Sequence, residues 1–482
     1  MKIKIVLHVL SVLLLIISIF IFISAVVAFL YFEIDTVFSF LKTLLIVIPL
    51  SLIIFFFTKT SKNQVLGTRE GFLLVSLGWI TSSMVGALPF VFSGAIPSYT
   101  DAFFETMSGF TTTGASILTD IESLSYGLLF WRSMTHWLGG MGIVVLTVAL
   151  LPLLGIGGIQ LLRAEAPGPS LDKMTPKITQ TAKFLWFIYV GFTFLEIILL
   201  MFGGMSLFDA STHTFGTMAT GGFSTRGASV GAFNSAYVHI VITVFMVLAG
   251  MNFNLYYKII SGNFKGFFRD TEMKVYISIF LIVTFLISIN LLSTYGSFGK
   301  SLQYAGFQTA SILTTTGFAT ADYSLWPEFS KNALFFTMFI GGCSGSTGGG
   351  IKVVRIVTLI KLAFHEMKQM VYPTGVFRLK MNGVVMQKDF VYPVAGFFFL
   401  YLFLLLAVTL GVASGGYDIL TSFSTALATL GNIGPGFGKI GPALNYSFYP
   451  VYIKWILSVA MMLGRLEIYT VLILITPKFW RS

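Results

Sequence analysis

The chain has 482 residues, 56% of them hydrophobic and only 10% charged, with a mean hydropathy of +0.88. That balance excludes a soluble globular protein of this size and marks a polytopic membrane protein; apolar runs of about 20 residues make its spans helices rather than alternating barrel strands. The single cysteine, Cys343, leaves no internal disulfide and no cysteine-based metal site.

The net charge of +11 is read from its placement. Lysines and arginines gather at Lys2–Lys4, Lys59–Arg69, Arg163–Lys183, Lys258–Lys274, Lys352–Lys388 and Lys478–Arg481, on every second connection. Intervening connections carry acidic residues such as Glu33, Asp101, Glu105, Asp209 and Asp418. This is the positive-inside pattern of cytoplasmic loops, so the charge encodes topology with both termini cytoplasmic, and no nucleic-acid partner is expected.

In chain order, Met1-Lys-Ile-Lys4 is basic and precedes an apolar run to Phe32. That run is too long for a signal-peptide core and is expected to stay as a first span. Residues 5–31 and 40–58 then form a hairpin, within an N-terminal segment 1–60. Four units of one pattern follow, over 61–160, 161–257, 258–365 and 366–482. Each is an apolar span, a short segment ending in a glycine turn, and a second span. The expected spans are 71–94 and 127–153, then 184–205 and 234–256, then 275–293 and 331–362, then 390–413 and 448–476, ten in all with the hairpin. About 12 residues precede each glycine, enough for ~18 Å of helix, which is half a bilayer.

The turns read Thr112-Thr113-Gly114, Thr220-Gly221-Gly222, Thr315-Thr316-Gly317 and Asn432-Ile433-Gly434. An ordinary extracellular loop has no reason to recur four times in this form. Non-helical backbone at membrane depth survives only when buried in protein or lining a wet cavity. Four such segments around a pseudo-fourfold axis would aim the negative ends of their half-helices at the membrane centre, which suits a cation. Their carbonyls would replace its hydration water, with glycine relaxing the backbone limits. The fold class is therefore an all-α polytopic membrane protein, with four pseudo-symmetric helix–re-entrant loop–helix repeats around one pore and an N-terminal two-helix hairpin.

These four turns, the extra hairpin and Gly341-Gly-Cys-Ser-Gly-Ser-Thr-Gly-Gly-Gly-Ile-Lys352 resemble the superfamily of potassium transporters containing TrkH, KtrB and plant HKT proteins, and within it the TrkH branch. The resemblance covers nearly the whole chain. It implies a potassium selectivity filter at the twelve residues above. HKT proteins that prefer sodium can carry serine at the first filter glycine, and Gly114 here favours potassium. The fourth turn departs from the pattern, lacking the threonines of the others.

Residues 341–350 hold six glycines, inside what should be the longest span. Helix packing through small residues is one reading; an intramembrane loop is the other. The resemblance implies a gate across the pore at Gly342, Cys343, Ser344, Gly345, Ser346, Thr347, Gly348, Gly349 and Gly350, with Arg465 beside it. Arg465 lies mid-span, where a charge costs about 2.5–3.5 kcal/mol. Pairing with Glu467 is disfavoured, because residues two apart on a helix face different ways. Lys352 and Arg355 can also be read as cytoplasmic anchors.

Other motifs fail. Gly436-Phe-Gly438-Lys-Ile-Gly441 fits a dinucleotide fingerprint, but no strand precedes it and it reads as the turn leaving the fourth filter. The glycine-rich run lacks Ser or Thr after Lys352, which disfavours direct ATP binding. The five histidines, His8, His136, His213, His239 and His365, show no metal-ligand spacing and read as packing residues. Arg132 and Arg226, near the outer mouth, can be read as tuning ion entry, but a local salt bridge with Glu105 or Asp209 is the expected duty.

No catalytic constellation emerges, so no enzyme is expected. The resemblance implies potassium uptake across a prokaryotic inner membrane and a homodimer, with no covalent cofactor. It also implies a cytoplasmic nucleotide-binding regulatory ring of the TrkA type, so that ATP, ADP or NAD would act only through that partner. The basic connections near 163–183, 258–274 and 361–388 would dock it. A sodium or non-selective cation transporter of the same superfamily and, from another class, a polytopic membrane enzyme acting on a phosphorylated lipid are the alternatives.

Overall fold

The computed structural model describes residues 1–58, 67–140, 142, 178–375, 377–386 and 388–481, with side chains from 184 and from 391 in the helices that begin at Ile178 and Lys388. The expected second span of unit 1 beyond Gly142, and the basic stretches 59–66 and 163–177, lie outside the described residues.

Two long helices, Ile3–Leu30 and Ile34–Phe57, form the N-terminal hairpin. The Glu33 carboxylate in their turn accepts hydrogen bonds from the backbone N–H groups of Tyr126 (2.6 Å) and Gly127 (2.9 Å). These are orphan donors of a helix N-terminus, so the hairpin caps the second helix of unit 1.

Each unit then has an outer helix: Thr68–Phe92, Ile178–Phe202, Thr271–Asn290 and Lys388–Ala413. The first packs against the N-terminal hairpin, while the last three turn large apolar side chains outward, among them Phe187, Phe202, Phe285, Phe399 and Leu410. In water that would be a liability; in lipid it is the expected outer surface. Half-helices follow, Tyr99–Phe110, Leu207–Ala219, Phe298–Leu313 and Ile419–Leu430. Ser98, Ser206 and Asp418 cap three of them, each accepting from the N–H three residues on. The half-helices are the core of the molecule: every residue of Ala102–Phe110, for example, is buried.

The inner helices differ from the expected spans. Ala236–Ala249 and Phe253–Ile260 meet at 92°. Glu328–Thr337 stops, and the helix resumes only at Val353–Val371. Val451–Arg465 and Tyr469–Ile475 are separated by Glu467, whose φ is 53°. In unit 1 the helix Tyr126–Gly140 ends at a corresponding place. Ten uninterrupted spans therefore do not form. Among the described residues six helices are long and apolar enough to cross a membrane, or seven counting the bent pair as one.

One small element had no sequence expectation. Lys380–Met381 and Val384–Val385 pair as an antiparallel hairpin across Asn382-Gly383. Both turn residues have positive φ, 50° and 80°, as a two-residue hairpin turn of this type requires.

Candidate ion-conduction site

All four half-helices end the same way. The N–H groups of Thr113, Gly221, Thr316 and Ile433 reach back to the carbonyls of Ser108, Gly216, Ser311 and Ala428 at 2.8–2.9 Å. The residue before each of them is left-handed: Thr112, Thr220, Thr315 and Asn432 have φ of 53°, 54°, 59° and 53°. This is the six-to-one bond of a Schellman ending. A β-branched threonine in that region is strained at about 1–2 kcal/mol, a cost incurred three times here. Asparagine tolerates it better, so Asn432 keeps the backbone of its three counterparts while departing from their side chain.

Two residues on, Gly114, Gly222, Gly317 and Gly434 have φ of 79°, 80°, 84° and 90°. Their surroundings give the arrangement of the units. A side chain at Gly114 would strike the carbonyl oxygen of Gly221, one at Gly222 that of Thr316, one at Gly317 that of Ile433, and one at Gly434 that of Thr113. Unit 1 thus backs on unit 2, unit 2 on unit 3, unit 3 on unit 4, and unit 4 on unit 1. The twelve residues singled out from the sequence are brought together as one closed ring of backbone. Such a ring can offer a dehydrated cation four equivalent carbonyls without any charged side chain.

Gly221 stands where units 1 and 3 have threonine and unit 4 has isoleucine. The His136 ring fills that space: a β-carbon at Gly221 would lie 2.5–2.7 Å from its atoms. His136 bonds through Nδ1 to the Gly109 carbonyl (2.7 Å) and stacks on Phe223. It is a packing residue behind the ring. His213 likewise bonds the Asp209 carbonyl and the Ser224 hydroxyl. Among the described residues no three His, Cys, Asp or Glu side chains group as a metal site.

Behind units 1 and 2, Arg132 pairs with Glu105 at 2.7 Å, both fully buried. Glu105 also accepts from the Ser116 hydroxyl and the Ile117 N–H, while Arg132 donates to the Ser224 carbonyl and lies 3.5 Å from the centre of the Phe223 ring. The pair therefore braces the segments leaving two turns. Arg226 meets Asp209 at 3.6 Å on the surface. Lys454, which carried no expectation, bonds Asp101 at 2.6 Å and ties unit 4 to the first turn of the unit 1 half-helix. Its signal was a lysine inside an apolar run.

On the side of the ring facing the half-helix C-termini, Met338–Lys352 is non-helical, which rules out the helix-packing reading of the glycine run. The chain forms a loop closed at its neck, where Gly341 N–H bonds the Ile351 carbonyl and Val353 N–H the Gly342 carbonyl. Gly349 N–H donates to the Thr315 hydroxyl at 2.7 Å, and a β-carbon at Gly349 would lie 2.6 Å from the Gly431 carbonyl oxygen. Cys343 and Thr347 N–H groups bond the Gly250 and Ala249 carbonyls at the bend of unit 2. Gly345 and Gly350 take φ of 72° and 65°. Cys343 is fully buried, Gly342, Ser344, Thr347, Gly348 and Gly349 are buried, and Ser346 is half-buried.

Arg465 donates to the Thr347 carbonyl of this loop at 2.6 Å, and to the carbonyls of Gly139 and Gly140 in unit 1. Units 1 and 3 are diagonal in the ring, so the guanidinium of unit 4 bridges across it. Its neighbour Glu467 pairs instead with Arg355, whose guanidinium lies 3.8 Å from the centre of the Phe397 ring. Lys352 bonds the Gly348 carbonyl. Lys352 and Arg355 are thus engaged inside the protein, which corrects their reading as cytoplasmic anchors; Arg355 meets a carboxylate remote in sequence, while Lys352 turns back onto its own loop.

A four-unit membrane protein with re-entrant turns closed into a carbonyl ring and a loop packed against it is built for moving cations. The chain belongs to the TrkH family of cation transport proteins, whose family model matches residues 36–482. Trk system potassium uptake protein TrkH of Salmonella typhimurium is 42% identical over 449 residues, covering 92% of each chain. Its Vibrio parahaemolyticus namesake is 41% identical and covers 100% of both, and Trk system potassium uptake protein TrkG of Escherichia coli is 39% identical over 88% of each. The crystal structure of the potassium transporter TrkH from Vibrio parahaemolyticus matches with a TM-score of 0.89 and 39% identity over 100% of both chains.

Proposed function

We infer that this chain carries potassium into the cell through the ring at Thr112–Gly114, Thr220–Gly222, Thr315–Gly317 and Asn432–Gly434, down the ion's electrochemical gradient. The observation that carries the reading is the cyclic contact of each glycine with the next unit's carbonyl. A ring of uncharged oxygens suits a large, weakly hydrated monovalent ion, and relatives matching along most of this chain are named for potassium uptake. The loop 341–350 and Arg465 form the gate: together they lie between the units, and a guanidinium there opposes a passing cation.

The membrane is a prokaryotic inner membrane with both termini cytoplasmic, in keeping with the basic residues at each end. The working form is a homodimer controlled by a cytoplasmic nucleotide-binding ring of the TrkA type. The basic connections near 258–274 and 361–388 support a docking surface for it, and nucleotide acts only through that partner. Reversal potentials in potassium against sodium, recorded from purified protein in planar bilayers, test the selectivity. A strong potassium preference is expected; equal permeability gives the reading of a non-selective cation transporter.

A further inference from the structure

We propose that Glu272 is the clamp that holds the loop 341–350 closed, a positioning residue for gating that acts from outside both the ring and the loop. The inference rests on the gate reading above and deepens it. Glu272 sits in the first turn of the unit 3 outer helix, far in sequence from the loop, and is 6% exposed. One of its oxygens, Oε1, accepts two backbone hydrogen bonds. One comes from Ser344 N–H at 2.6 Å, just inside the loop, and the other from Val354 N–H at 3.0 Å, just beyond it.

A single carboxylate oxygen thus ties Ser344, within the loop, to Val354, at the start of the helix that follows it, beside the neck contacts Gly341–Ile351 and Gly342–Val353. With the carboxylate ionised, both bonds are charge-assisted and about twice as strong as neutral ones. The loop's other partners include Thr315, Arg465, Ala249, Gly250 and Phe253, which belong to the ring turn, to the guanidinium bridge and to the bend of unit 2. Glu272 stands on the outer helix, which contributes no residue to the ring, so a substitution there leaves every ring residue itself unchanged.

Cys343 reports on this directly. It is the sole cysteine of the chain, it adjoins Ser344, and its thiol is fully buried. Alkylation of reconstituted protein by a maleimide therefore reads the opening of the loop, independently of ion flux. Glu272→Ala is expected to label at least roughly tenfold faster than the native chain, as loss of a charged hydrogen-bond acceptor implies. Glu272→Gln, which keeps a neutral acceptor, falls between, and Glu272→Asp stays near native. The unfolding midpoint of Gln and Asp variants in detergent is expected to be unchanged. Native labelling rates in both Glu272→Ala and Glu272→Gln overturn the clamp, as does faster labelling that only follows a lowered midpoint. Where Glu272→Ala does not assemble, Glu272→Gln decides alone. Faster labelling with rubidium flux unchanged upholds the clamp and overturns the gate.

Discussion

The backbone N–H of Gly349 donates to the hydroxyl of Thr315 at 2.7 Å, so the loop is bonded to a residue of the ring rather than lying apart from it. Thr315 is also one of the four left-handed positions, with φ of 59°. The loop and the ring are therefore joined by a hydrogen bond, and displacement of one is felt by the other. At Gly349 a β-carbon would lie 2.6 Å from the Gly431 carbonyl oxygen and 2.8 Å from Cβ of Asn432. Gly349→Ala is expected to lift the loop and raise potassium flux in vesicles; a flux equal to native in the folded variant contradicts this docking.

Arg465 bonds Thr347 on one side and Gly139 and Gly140 on the other. Arg465→Ala, or deletion within 343–350, removes the bridge and its positive charge, and potassium flux should rise. Arg465→Lys should fall between native and alanine, because a single ammonium cannot reproduce the spread of a guanidinium fork. Initial uptake rates from equal amounts of folded protein decide the order.

Gly114 is held at φ 79° against the Gly221 carbonyl. Gly114→Ser places a side chain against that oxygen and strains the turn. The potassium-to-sodium permeability ratio is expected to fall by ~10-fold, equivalent to about 1.4 kcal/mol of discrimination. Reversal potentials measure it, and an unchanged ratio would place the selective step elsewhere.

The Arg132–Glu105 pair is fully enclosed. Removing one partner leaves an uncompensated buried charge, so Arg132→Ala should lose about 3–5 kcal/mol of stability. The double variant Arg132→Ala with Glu105→Ala should recover part of it. Thermal unfolding in detergent compares the two; a double variant no better than the single one means the arginine matters for packing on Phe223 instead.

How much of this was legible in the sequence depended on whether the signal was local. The four turns were, because a glycine at positive φ and the polar residues before it leave a mark in apolar sequence. Gly341–Gly350 was too, as a run no helix would keep. The bend at Ala249–Phe253 left a weaker trace: Gly250 and Asn252, whose side chain accepts from Asn254 N–H at 2.9 Å and starts the next helix. The break at Glu467 left none. Its positive φ is held within a segment tied to Arg355, 112 residues away, a pairing only the folded chain creates. The same is true of Lys454, whose partner Asp101 is in unit 1, and of Glu272, whose partners lie 72 and 82 residues further along unit 3.

The most direct measurement is rubidium uptake into vesicles containing the purified chain, driven by an outward potassium gradient, for the native protein and Arg465→Ala. A cation pathway through the four turns predicts uptake that potassium suppresses and sodium does not, faster in the variant. Absence of uptake in both, with and without a nucleotide-binding regulator, contradicts it.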